Sequence, residues 1–246
     1  MEDHGMDARG RQTLRDERVV LRPRAAVERM RRRLVRHHLP LALLSGTTVA
    51  VLDCTRPYPD PITRLSFATA YVAIALLALS LMTGPWNVLT GRRNPVSSDL
   101  RRDLGIWAGA LALLHTGVGQ CVHLRGRPWL YYVYGPQEHG HWLPLRHDLF
   151  GFNNFTGLGS ALVVLALLAT SSDWALRRLG TPGWKRLQRW NYAAFALAAA
   201  HGIGYQTMEK QKAQFVAVVA ACIVAATGMQ SVGFLLRRAE KRHKPE

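Results

Sequence analysis

The chain has 246 residues, with 32 Lys plus Arg against 16 Asp plus Glu, a formal net charge of +16, and 48% apolar residues. Those averages suit a soluble domain, but residues 1–37 hold 11 of the basic side chains and long stretches downstream carry no charge at all. The pattern is an Arg-rich tail joined to a membrane domain, and three Cys without a CxxC pair exclude a disulfide scaffold and a four-thiolate metal site.

The tail, residues 1–36, has its basic run interrupted by Asp16, Glu17 and Glu28 and lacks the apolar core of a signal peptide. It reads as a segment lying on an anionic membrane surface. Nucleic acid is not an expected partner, because no recognition helix, aromatic interleaving or zinc spacing accompanies the charge. Leu39–Leu52 is a short first span, extended by Leu34, Val35, His37 and His38; a re-entrant segment there would leave five spans instead of six. The uncharged runs Leu65–Met82, Leu104–Val122, Leu149–Ser172, Trp190–Met208 and Ala213–Leu236 are 18 to 24 residues long. At about 1.5 Å per residue each can cross a hydrocarbon layer roughly 30 Å thick. The sequence thus predicts an all-α membrane protein: a six-transmembrane-helix bundle over 37–238 and a basic tail at 239–246. Alternate connections place 25 Lys and Arg on one side and 7 on the other, which puts both termini in the cytoplasm.

Ionisable side chains inside a span are costly and therefore mark function. Two sit deep in these helices, His115 in the third span and His201 in the fifth. His115 lies 13 residues beyond Arg102 and His201 lies 12 beyond Arg189, so both are about 18–20 Å from the same edge. Ala112 precedes His115 by one turn and Gly119 follows it; Ala198 precedes His201 and Gly204 follows. Two neutral imidazoles at one depth, each in a strip of small residues, suit the iron of a flat ligand such as haem. Zinc would need further ligands at that depth. The alternative is that each His bonds a neighbouring helix and the small residues serve packing. GLG at 157–159 and GIG at 202–204 read as packing glycines, not as nucleotide-binding turns.

The stretches LGIWAGALALLH (104–115) and TSSDWALRRLGTPGWKRLQRWNYAAFALAAAH (170–201) resemble the ferric reductase-like transmembrane domain superfamily, most of all its MsrQ (YedZ) branch. The resemblance runs from about Arg64 to Leu236. It implies a six-helix domain that carries b-type haem between the third and fifth spans and passes electrons across the membrane, with His115 and His201 as the axial ligands. Gln188 stands where that branch carries a further His, so a second haem is not expected. The chain holds no dinucleotide-binding motif. Its electron donor would be a cytoplasmic flavin reductase or a membrane quinol. The basic cytoplasmic loops that carry Arg92, Arg93, Arg101, Arg102, Lys185, Arg186 and Arg189 read mostly as topology anchors, and could also hold the phosphate of a flavin (FMN or FAD) or an acidic partner. The expected location is the bacterial inner membrane.

The long loop His123–Phe150 lies on the opposite side. Its Arg125, Arg127 and Arg146 are candidates to neutralise haem propionates, or are surface charges. His139, His141 and His147 offer a transient site for ferric or cupric ions. Docking of a periplasmic redox protein is the stronger reading of this surface, and a metal reductase of the STEAP kind the alternative. A non-haem scaffold or transporter in which both His are structural is the rival from another class. Cys54 and Cys121 fall near the same ends of their helices but are read as thiols, as is Cys222.

Overall fold

The computed structural model describes residues 27–55, 58–91, 99–124, 126–138, 140–208 and 213–242. The chain divides into two compact units, 1–43 and 44–246. The described part of the first unit is helical, with an ion pair between Arg32 and Glu28 one turn apart and a π turn at Leu34–His38. The sequence places a tail at 1–36; its described end is the beginning of helix α1, Val27–Thr55.

The second unit holds the rest of α1 and α2 (Pro61–Leu89), α3 (Asp99–Gly119), α4 (Leu149–Ala169), α5 (Asp173–Gln188), α6 (Trp190–Met208) and α7 (Ala213–Arg242). A 3-10 turn at Pro128–Tyr131 and a bridge between Val133 and Leu145 order the long loop, and no strand occurs among the described residues. The helix starts are set by side-chain caps. Asp60 accepts the Thr63 N–H at 3.0 Å with Pro61 at the first position, Asp148 accepts Gly151 N–H at 2.7 Å, and Ser172 accepts Ala175 N–H at 3.0 Å.

Helix α2 forms the core, packed against α3, α7 and α6, while α4 packs against α6 and α3. Ala68, Leu76, Ala78 and Leu81 of α2 are almost wholly buried. Close approach depends on glycine at several crossings, among them those of α2 with α7 and α3 with α4. A Cβ at Gly233 would lie 2.9 Å from Pro85 Cβ, and one at Gly109 would press on the Leu168 side chain.

Four helices are long and apolar enough to cross a membrane: α1, α2, α4 and the Val216–Leu236 part of α7. Helices α3 and α6, 21 and 19 residues long, fall outside that group. The first opens on Asp99, Arg101, Arg102 and Asp103, and the second carries Asn191, Tyr192, His201 and Gln206. The basic connection after α4, read from the sequence as a loop, is helix α5, bent at Gly180 where φ is 66°. It is amphipathic: Ala175 and Trp184 are buried while Trp174, Arg177 and Arg178 are exposed.

Gly233→Val is expected to destabilise the bundle by about 1–3 kcal/mol, because the new side chain meets the rigid ring of Pro85. Gly228, with nothing near its missing Cβ, should accept Ala without loss. Thermal unfolding in detergent reads both; equal midpoints for the two variants would refute the packing argument.

Candidate cofactor site

The rings of His115 and His201 face each other across the bundle, with centroids 6.0 Å apart and planes inclined at 70°. Each is held in the same way. His115 Nδ1 lies 2.9 Å from the backbone oxygen of Ser66 on α2, and His201 Nδ1 lies 2.7 Å from that of Asn153 on α4. A carbonyl can only accept, so Nδ1 carries the hydrogen in both rings and Nε2 keeps its lone pair. Neither Nε2 has a hydrogen-bond partner among the described residues. The supports match further: the Thr69 hydroxyl donates to the Ser66 oxygen at 3.0 Å, and the Thr156 hydroxyl to the Asn153 oxygen at 2.9 Å. Ser66 and Asn153 are buried, at 6% and 0% exposure.

The two rings line a cavity of about 970 Å³, at the upper end of the range for small-molecule sites. One end, called here the basic end, is lined by Arg101, Arg102, Lys185, Gln188 and Arg189; the other, the tyrosine end, by Gln120, His123, Tyr131, Tyr132 and Tyr205. Between them the wall is mostly small or apolar, including Ala108, Ala112, Ala161, Val164 and Ala198. Gly157 completes it: an added Cβ would sit 2.6 Å from His201 Nδ1 and displace the ring. Two lone-pair nitrogens at the wall of a cavity lined by small residues can hold a metal ion, including one carried by a planar ligand.

With that geometry in place, the comparisons with known proteins are specific. Residues 69–199 match the model of the ferric reductase like transmembrane component, just over half of the chain. The chain belongs to that family. The match takes in His115 and stops two residues short of His201. The chain is 31% identical over 143 residues to the protein-methionine-sulfoxide reductase heme-binding subunit MsrQ of Yersinia pseudotuberculosis serotype O:1b (strain IP 31758), covering 58% of this chain and 63% of that one. It is equally similar to MsrQ of Yersinia pestis (strain Pestoides F), covering 62% of it. The chain thus spans a little under two thirds of the length of these relatives. No solved structure matches it.

In this member of the ferric reductase family, Ala112, Gly119 and Ala198 line the cavity with the two histidines as the sequence spacing suggests, and Gly204 does not. Gly204 instead makes room for the Asn153 side chain, which a Cβ would overlap. Among the loop candidates, Arg125 and His139 lie outside the described residues. Arg127 is exposed and apart from the cavity lining. Arg146 is not available to a ligand's carboxylates: Nε donates to the Leu130 oxygen at 2.7 Å, and its two terminal nitrogens donate to Asp148 at 2.9 Å and Glu138 at 2.8 Å. Its guanidinium also lies over the Tyr134 and Phe150 rings. His141 and His147 pack around Tyr134, His141 stacked on it at 3.5 Å, and no group of three or more His, Cys, Asp or Glu among the described residues is arranged to hold a metal ion. Cys54, Cys121 and Cys222 are free.

Sequence reasoning missed Ser66 and Asn153, which act through backbone carbonyls that every residue has. It also missed Tyr205, one turn from His201 with ring centroids 4.9 Å apart, and the buried Tyr131. The nearest signal was the GLG segment, whose first glycine proves to clear the His201 ring.

Arg146→Gln should loosen the long loop, because the Leu130 oxygen and the Glu138 and Asp148 carboxylates lose their shared partner, read as faster limited proteolysis between α3 and α4. The Gly135 N–H, and behind it Arg146, hold the Glu138 carboxyl below its usual value. Its folded-state pKa is therefore lower than the unfolded one, and its contribution is full above the ordinary carboxylate range. That contribution fades as pH falls through the lowered folded value. Wild-type loop protection should drop in that acid window and Glu138→Gln should be flat there; a parallel pH dependence in both would remove Glu138 from the account.

Proposed function

We propose that this chain is a transmembrane b-type cytochrome that carries electrons outward through a single haem, held between His115 and His201, to a periplasmic redox protein. The observation that carries this reading is the pair of imidazoles 6.0 Å apart, each turned by a backbone carbonyl so that Nε2 is left to ligate. That separation leaves room for one metal ion between the two Nε2 atoms. A haem held by His115 and His201 would supply one-electron redox chemistry there.

The protein's part is to bind, orient and seal. The Ser66 and Asn153 carbonyls fix the tautomer and orientation of each ring and make its Nε2 a stronger donor. Ala112, Ala198 and Gly157 leave clearance for a flat macrocycle, and the apolar wall keeps water from its faces. In this reading six helices span the bacterial inner membrane, α1, α2, α3, α4, α6 and α7, with both termini cytoplasmic by the distribution of Lys and Arg. Helix α5 lies along the inner surface, its basic exposed face toward anionic lipid. The basic end of the cavity is then cytoplasmic, where a flavin reductase or quinol donates and where a flavin phosphate would find Arg101, Lys185 and Arg189. The acceptor is a periplasmic redox protein such as the methionine sulfoxide reductase named for the MsrQ relatives. The metal-reductase alternative gains nothing from His141 and His147, which are engaged with Tyr134.

The test is a reduced-minus-oxidised spectrum of detergent-purified protein with haem counted per chain. One low-spin b-type haem is expected, absent in His115→Ala and in His201→Ala. Gly157→Ala should bind haem on the order of tenfold more weakly, because it disturbs the bond that orients His201. Colourless wild-type protein from haem-replete cells would sink the proposal and leave the scaffold or transporter reading.

A further inference from the structure

The cavity around His115 and His201 differs in chemistry along its length. Next to the rings on the side of the basic end, its wall is Ala108, Gly109 and Ala112 of α3 with Ala161 and Val164 of α4. On the side of the tyrosine end, the wall is Gln120, His123, Tyr131, Tyr132 and Tyr205. A flat ligand with one apolar edge and one carboxylate edge has a single favourable orientation in such a space. An ionised carboxylate set among alanine and valine side chains would lose its hydration and gain no hydrogen bond.

The tyrosine end also holds a polar pair whose hydrogen bonding is incomplete. Gln120 Nε2 donates to the Tyr132 hydroxyl at 2.9 Å, while Gln120 Oε1 is buried without a partner. The Tyr132 hydroxyl accepts that bond, and its own hydrogen has no acceptor among the described residues. Turning the amide over lets Tyr132 donate to Oε1 and leaves Nε2 as the spare donor. In both orientations the pair keeps an unused donor, and both residues line the cavity. Burial pushes the Tyr132 phenol up from its ordinary value, so it stays a protonated donor. The neighbouring Tyr131 has no such spare capacity: its hydroxyl accepts the His123 N–H at 2.8 Å and donates to the Gly119 oxygen at 3.1 Å.

Reach selects the same end. Gln120 is five residues beyond His115, about 7–8 Å along the helix axis, whereas Arg102 lies 13 residues before it, about 20 Å in the other direction. Carboxylates on short chains at the edge of a ring centred between the two histidines reach the first distance and not the second. Arg146, the loop cation nearest in sequence to α4, is bonded to Leu130, Glu138 and Asp148 and does not line the cavity. Among the described residues no Lys or Arg lines this end.

We infer that Gln120 and Tyr132 form the carboxylate anchor of this site, so that the propionates of the bound porphyrin point to the tyrosine end and are held by neutral donors. The inference rests on the haem reading above, and it fixes which edge of the macrocycle faces which end of the bundle.

The test titrates detergent-purified apoprotein with ferric protoporphyrin IX and with its dimethyl ester, following the absorption change on binding. Wild type should favour the free acid by roughly tenfold or more, the worth of hydrogen bonds to charged groups. Tyr132→Phe and Gln120→Leu should each shrink that ratio and together bring it near unity, because the ester, a weaker acceptor than the carboxylate, loses less affinity than the free acid. Because the ester also partitions differently into detergent, the change in ratio between proteins is the readout, and retained ester binding reports an intact site. Should the double variant fail to fold, Tyr132→Phe alone, which removes one oxygen and keeps the ring, decides the matter. A ratio unchanged in the Tyr132 and Gln120 variants overturns the anchor, as does a ratio that collapses instead in Arg101→Gln or Lys185→Gln. If wild type binds both porphyrins equally, the anchor falls and the haem reading stands; if it binds neither, both fall.

Discussion

The hydrogen bonds from His115 to the Ser66 carbonyl and from His201 to the Asn153 carbonyl decide what this bundle can bind. A buried imidazole with both nitrogens satisfied by its neighbours is a packing element. With one nitrogen committed to a carbonyl and the other facing a cavity, it becomes a preset ligand whose tautomer is already chosen. Both carbonyls sit inside helices, α2 and α4, and each also takes a threonine hydroxyl from one turn further on. The rings are therefore oriented by the most rigid part of the structure, and the glycine at 157 is required because α4 passes so close to the ring it supports.

That arrangement bears on why two of the helices are less apolar than the rest. The two that carry the histidines, α3 and α6, fall outside the set apolar enough to span. Helix α3 opens on Asp99, Arg101, Arg102 and Asp103 and carries His115, while α6 carries Asn191, Tyr192, His201 and Gln206, and each of these lowers the mean hydropathy. Helices α2 and α4, which support the rings through backbone carbonyls, keep their apolar character. The residues that make a segment a poor span by composition are here the ones that make the site.

The same logic separates what was legible in the sequence from what was not. The matched depth of His115 and His201 and the alanines one turn before them follow from helical periodicity, and the structure brings those residues to one cavity. Which glycine clears the ring was not legible: periodicity pointed to Gly204, on the histidine's own helix, whereas the close contact comes from Gly157 on the facing helix. Facing depends on how two helices rotate against each other, and a single sequence does not encode that locally. The basic turn before α6 read as a loop because Gly180, Thr181, Pro182 and Gly183 break any pattern; the chain bends at Gly180 and resumes its helix, anchored where the Trp184 indole donates to the Thr170 oxygen at 3.1 Å. Arg146 read as a propionate partner or a surface charge because Glu138 and Asp148 are common loop residues, and only the fold shows that it staples the loop together.

The cavity's two ends impose a further constraint on the proposed cytochrome. The histidines stand about 20 Å from Arg102 but only five residues from Gln120, so one centre at their level lies close to the tyrosine end and far from the basic end. The space between is continuous and bordered by alanine, glycine and aliphatic side chains up to Gln188, whose amide nitrogen is buried there without a hydrogen-bond partner. An amide at that position cannot replace a ligating imidazole, yet it keeps a donor in the path together with Lys185 and Arg189. Any electron source that serves the site from the basic end must therefore enter the cavity itself, because a donor docked outside those cations would remain separated from the histidines by most of the bundle's depth.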